Sequence, residues 1–145
     1  MRLLTFRECK TRLPAGKIRR LFELVVDGEA DPGWQGSVNL ILTTDRRIRK
    51  LNREFLGKDS ATDVLSFNID DPQSRRSVFG EIYISVDTAA RQARQHGASL
   101  AREYLRLIGH GLLHLFGYDH EKKRPAARMR QREDYYLSRL EEGAS

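Results

Sequence analysis

The chain has 145 residues, 39% of them hydrophobic and 32% charged, with 26 Lys and Arg against 20 Asp and Glu for a formal net charge of +6. A chain of this length folds as one domain that buries about two-thirds of its unfolded surface, so size alone demands no disulfide or structural metal. The single cysteine, Cys9, cannot form an internal disulfide, charges break the N-terminal segment before a signal-peptide core develops, and no apolar run reaches the roughly 18–20 residues that span a bilayer, so a cytoplasmic protein without a membrane span is expected.

Residues 3–9 alternate weakly and suit a strand. Ile18, Leu21, Phe22 and Val25 then recur at helical spacing after Pro14, and the pattern stops near Gly28, before a Pro-Gly loop. Val38, Leu40 and Leu42 alternate with Asn39, Ile41 and Thr43, which predicts a strand buried mainly on one face. Thr44 suits the N-cap of a following helix with Ile48, Leu51 and Phe55 as its apolar stripe and Gly57 at its end. Residues 64–69 and 80–85 read as strands separated by a polar turn over 70–77. Helices fill the rest, over 86–96, 99–116 and roughly 124–140. Strands early and helices late predict an α+β fold, with residues 1–145 forming a single domain built on one small mixed sheet of about four strands.

The helix over 99–116 carries the chemistry. Leu100, Tyr104, Ile108 and Leu115 form a stripe that can face the sheet, while Glu103, Arg106, His110 and His114 form another that points into a cleft. Residues four apart lie nearly above one another on a helix, so His110 and His114 can aim two imidazoles at one point. Gly117 lets the helix stop and the chain turn back, which brings His120 toward the other two. Three imidazoles and an open fourth position describe a catalytic zinc site, one Zn2+ per chain, although imidazole also suits nickel, copper and iron. The spacing is that of the metalloprotease pattern H-E-x-x-H-x-x-G-x-x-H, except that Gly111 replaces the glutamate that serves those enzymes as general base.

Three neutral imidazoles leave the charge of a metal uncancelled, which suits an anionic phosphodiester, and a zinc-bound water has a pKa lowered toward ~7. His114 with that water is the candidate catalytic pair; whether the attacker is the water or the substrate's own 2′-hydroxyl stays open. Asp119, beside the third ligand, either orients an imidazole or bonds its own loop backbone. Asp63 and Ser66 either contact substrate or make internal hydrogen bonds, and Lys58 and Arg106 are candidate substrate contacts. His96, at a helix end, reads as structural, Trp34 as a loop residue, and Met129, Tyr136, Leu137 and Leu140 as a core-facing stripe. Basic clusters at Arg46, Arg47, Arg49, Lys50 and Arg53, and at Lys122, Lys123, Arg124, Arg128, Arg130 and Arg132, favour a nucleic-acid partner.

The segment from His110 to His120 resembles the H-G-x-L-H-L-x-G-Y-D-H signature of the YbeY family, bacterial endoribonucleases and ribosomal RNA maturation factors. Thr62-Asp63-Val64-Leu65-Ser66-Phe67 is similar to that family's T-D-V-L-S-F block, and Gly80-Glu81-Ile82-Tyr83-Ile84-Ser85 to its G-D-I-x-I-S strand. The resemblance implies zinc held by His110, His114 and His120 and single-stranded RNA as substrate. It further implies a role in 3′-end maturation of small-subunit ribosomal RNA and in ribosome quality control, with the small ribosomal subunit and assembly factors as partners. Leu56 departs from it, because many members carry arginine there. Two other readings are a non-catalytic zinc-containing ribosome-assembly factor and a divergent metallopeptidase; Gly111 and the arginine clusters argue against the peptidase.

Overall fold

The weak alternation at the start of the chain becomes β1 (Arg2–Arg7), which pairs in parallel with β2 (Ser37–Thr43) after the crossover helix α1 (Ala15–Glu29). The strand β2 leads into α2 (Asp45–Leu56), then the edge strand β3 (Val64–Asn68) and its antiparallel partner β4 (Val78–Ser85). Three helices complete the order: α3 (Val86–Gln95), α4 (Leu100–Leu115) and α5 (Lys123–Glu142). This computed structural model describes residues 1–30, 33, 35–69, 78–117 and 123–142. The expected turn over 70–77 and the Trp34 side chain lie outside the described residues.

The result is the expected α+β domain with a four-stranded mixed sheet in the order β1-β2-β4-β3. Because β2 runs between parallel neighbours β1 and β4, it is buried on both faces and not mainly on one: Ile41 is 6% and Thr43 1% exposed, alongside Val38, Leu40 and Leu42 at 0%. A central parallel strand has little solvent on either side, so alternation in sequence understates its burial.

The two faces carry unequal cores. Val38, Leu40, Leu42, Ile82 and Ile84 pack against Ile18, Leu21 and Val25 of α1 and Tyr104, Ile108 and Leu112 of α4, while Met129, Tyr136 and Leu140 of α5 close the layer. The core-facing stripe expected on the last helix is thus present. On the opposite face, Ile48 and Leu51 of α2 cover Leu65, with Phe67 and Tyr83 at the margin.

Local caps fix where the helices begin. The hydroxyls of Thr44, Ser85 and Ser99 accept from the backbone N–H groups of Arg47, Thr88 and Arg102, satisfying donors that a first helical turn leaves orphaned. Among the described residues no helix is long and apolar enough to cross a membrane.

Candidate metal centre

Two contacts show why α4 is the element that holds the histidines steady. A Cβ added at Gly111 would stand 2.8 Å from Ile82 Cγ2 and 3.0 Å from Ser66 Oγ, and one added at Gly80 of β4 would meet Leu115 Cδ2 at 2.6 Å. Both glycines therefore let the helix lie directly on the sheet. Ser66 Oγ donates to the Gly111 carbonyl (3.2 Å) and Asn68 Nδ2 to the Leu115 carbonyl (2.9 Å), so the edge strand β3 anchors the second half of α4 from the side. Leu107, Ile108, Leu112, Leu113 and Leu115 are all at most 3% exposed, and each fully buried side chain of this size contributes about 1.5–3 kcal/mol.

Gly111 thus faces the sheet. The position that supplies a general base in metalloproteases is filled here by a close approach, and no longer side chain fits there without moving Ile82, which is 0% exposed. Ser66, a candidate substrate contact from sequence, is the nearest polar group, and its hydroxyl is engaged inside the fold. The helix ends at Gly117, whose φ of +102° lies in the left-handed region that glycine adopts without steric cost. Its N–H bonds the His114 carbonyl at 3.1 Å.

His110 and His114 are half-buried on successive turns of α4. The Nδ1–H of His110 donates to Glu133 Oε1 of α5. A carboxylate at this position favours the neutral tautomer with its proton on Nδ1, which is the one whose Nε2 keeps the lone pair a metal needs. Such a donor set would fit a divalent cation of the zinc type, to which His110 and His114 could offer two nitrogens. His120, the third, and Asp119 lie outside the described residues, as do Tyr118 and Lys122. Among the described residues no group of three or more His, Cys, Asp and Glu side chains is assembled for a metal.

One turn before His110, Arg106 is held by a fork. Its Nη2 donates to Glu103 Oε1 at 2.5 Å and its Nε to Glu103 Oε2 at 3.3 Å, and the same Nη2 reaches Gln92 Oε1 at 3.3 Å. Gln92 in turn donates to Asp63 Oδ2 (3.3 Å), whose Oδ1 accepts from the Val64 N–H (2.8 Å). Asp63 and Arg106, both expected near the cleft, are therefore joined through Gln92. Glu103 raises the guanidinium pKa above its usual value, chiefly by these hydrogen bonds, with Asp63 and Glu133 adding to it. Glu103 itself is only 2% exposed: it is the buried anchor of Arg106, with His96 Nδ1 also 3.7 Å away. A cavity of about 640 Å³ opens at this N-terminal end of α4, bordered by Lys17, His96, Glu103 and Arg106.

Other expected contacts are placed elsewhere. Lys58 is exposed in the loop after α2, and its backbone N–H is held to Asn52 of that helix at 3.2 Å, not to α4. Leu56 is 52% exposed at the end of α2, beside the exposed Phe55, whose ring lies 5.6 Å from that of Phe67. The first basic cluster rides on α2, across the sheet from the histidines, and is partly neutralised: Arg49 and Arg53 pair with Asp59 at 2.9 and 3.6 Å, and Lys50 with Glu54 at 4.0 Å. In the second cluster Arg132 turns inward to Glu29 (2.8 Å), while Arg128 and Arg130 are exposed.

Sequence reasoning missed Glu133, Gln92 and Asn68. Glu133 and Gln92 are single polar residues on helices distant in sequence, and no spacing rule connects them to His110 or Asp63. Asn68 lies two residues beyond Ser66 on the same strand, so the period-2 rule pointed to the same face.

The comparisons with known proteins agree with one another. The family described as Endoribonuclease YbeY matches residues 5–141. A protein called Endoribonuclease YbeY from Anaeromyxobacter sp. (strain Fw109-5) is 49% identical over 106 residues, which are 73% of this chain and 53% of that protein. A second, from Chloroherpeton thalassium, is 36% identical over 140 residues, covering 97% of this chain and 96% of its own. The chain thus spans about half the length of the Anaeromyxobacter relatives it matches, at 53% and 50%, but nearly all of the Chloroherpeton one, at 96%. A solution structure from Thermotoga maritima superposes with a TM-score of 0.65 at 29% identity, covering 95% of this chain and 88% of that one.

Proposed function

The chain belongs to the YbeY family, and from that premise we propose that it is a zinc-dependent endoribonuclease specific for single strands. In this reading residues 1–145 form one zinc hydrolase domain that acts in the cytoplasm. The RNA is ribosomal, cut during 3′-end maturation of the small-subunit RNA and in ribosome quality control, with the small subunit and its assembly factors as partners. The observation that carries the reading is the pair of histidines one turn apart on a helix pinned to the sheet, one of them oriented by a carboxylate.

His110, His114 and His120 would hold the zinc ion, which would supply Lewis-acid polarisation of a phosphoryl oxygen and a water acidic enough to be a nucleophile near neutral pH. The chain's own residues do the rest. Arg106, one turn before His110, presents a guanidinium whose orientation is set by Glu103 and Gln92, a preorganised partner for a phosphate of the bound strand. Lys58, and with it the exposed arginines of α5, provides further cationic contacts along the strand. Asp119 stands next to the third ligand in sequence and is assigned to orienting it. Position 111 itself has no room for the carboxylate that serves a peptidase as base.

The test is cleavage of ribosomal RNA and of a peptide library by the purified protein, with and without a chelator and with His114→Ala. RNA cleavage that disappears in both the chelated and the substituted protein, while each stays folded, supports the nuclease. Intact RNA together with metal-dependent ribosome binding points instead to the non-catalytic assembly factor, and peptide cleavage to the metallopeptidase.

A further inference from the structure

We infer that Glu133 of α5 is a positioning residue for the metal centre, orienting His110 and strengthening its hold on the ion; this rests on the proposed reading of His110 as a ligand. Three observations carry it. The carboxylate accepts from the His110 Nδ1–H, which selects the tautomer whose Nε2 can ligate. Both side chains are largely withdrawn from water, His110 at 27% and Glu133 at 11% exposure, so the pair is far less screened than a surface contact. Glu133 also rides on α5, which packs against α4 in the main core, so its carboxylate sits on a fixed support.

The physical consequence follows from where that charge lies. Three neutral imidazoles give a dication no compensating charge, and a carboxylate one hydrogen bond behind a ligand supplies part of it while making the imidazole a stronger donor. Glu133 also fixes the ring plane, because Nδ1 is tied to a helix that is itself packed on α1 and α4 through Met129, Tyr136 and Leu140. Without that tie, binding would first have to stop the imidazole turning about its side-chain torsions.

The test uses the full chain stripped of metal, with zinc affinity measured by competition against a chromophoric chelator. Glu133→Gln keeps the shape and an acceptor but removes the charge; Glu133→Ala removes both. Zinc affinity should fall about 10–100-fold across the pair, more in the alanine variant. Urea unfolding of each metal-free variant shows that it is folded, and a purely structural carboxylate would lower that midpoint and leave the affinity alone. A folded Glu133→Gln and a folded Glu133→Ala that both bind zinc as tightly as the parent would overturn the assignment. If the alanine variant does not fold, the glutamine variant decides alone. A parent chain that binds no zinc removes the site and this assignment together. RNA cleavage plays no part in the measurement, so failure of the nuclease reading and failure of this one are separate results.

Discussion

At the scale of single residues, Gly111 changes meaning between sequence and structure. In the sequence it is the missing base of a protease-like site; in the fold it is the point where α4 touches β3 and β4. Alanine is ordinarily about 1 kcal/mol better than glycine inside a helix, but here its methyl would press on Ile82 Cγ2, a branch with no freedom to swing aside. Gly111→Ala should therefore lower stability in urea unfolding by about 1–3 kcal/mol, the usual cost of overpacking. An unchanged or raised midpoint would show that the helix can lift off the sheet at no cost. Arg106 makes the complementary case. Its neighbours Glu103 and Gln92 aim it without being substrate contacts, so Arg106→Ala should raise the KM for single-stranded RNA and also cost stability, because it leaves the buried Glu103 carboxylate without its partner, whereas Glu103→Ala leaves only a partly exposed guanidinium unpaired and should cost less stability. An Arg106→Ala variant that loses stability but keeps the parent KM would mean that the pair is structural only.

At the scale of elements, the links between helices are polar and specific. Tyr136 of α5 donates to Glu29 of α1 at 2.6 Å and accepts from Arg132 at 2.8 Å, and a Cβ at Gly28 would stand 2.0 Å from its hydroxyl oxygen. Tyr136→Phe keeps the packed ring and loses these bonds, so it should cost about 0.5–1.5 kcal/mol in chemical unfolding. At the other end of the sheet, Asp45 at the start of α2 accepts from Ser85 (2.5 Å), Thr88 (2.6 Å) and Arg91 (2.8 Å), which joins α2 to α3. Burial pushes its carboxyl pKa up, but the hydrogen bonds from Ser85, Thr88 and Arg91 and the Arg91 charge outweigh burial and hold it below the ordinary carboxylate value. A pKa depressed in the folded state stabilises above the unfolded value of about 3.9 and stops doing so as pH falls through the folded value. Asp45→Asn should therefore destabilise at about pH 6, and that deficit should shrink below about pH 4; a deficit independent of pH would assign the effect to lost geometry and not to charge.

At the scale of the whole molecule, the large core lies between the sheet and α1, α4 and α5, and it contains neither His110 nor His114. Chelation should accordingly leave far-UV circular dichroism unchanged and lower Tm only by the amount that ligand linkage returns, so that Tm rises with free zinc. Collapse of the metal-free protein would instead make the ion part of the fold. The sequence by itself determined the elements, the cap at Thr44 and the histidine spacing on α4, because these depend on residues a few positions apart and on a period of 2 or 3.6. Even the α+β class was legible, since the order of strands and helices limits how few layers can bury them. What only the tertiary structure decided lies across the chain: burial of β2 on both faces, the close approach that excludes a side chain at Gly111, the inward turn of Arg132, and the meeting of Glu133 with His110. Each of these pairs groups far apart in sequence. Only the packing of helices on a sheet fixes such distances, because local backbone preferences carry no information about which remote side chain will arrive.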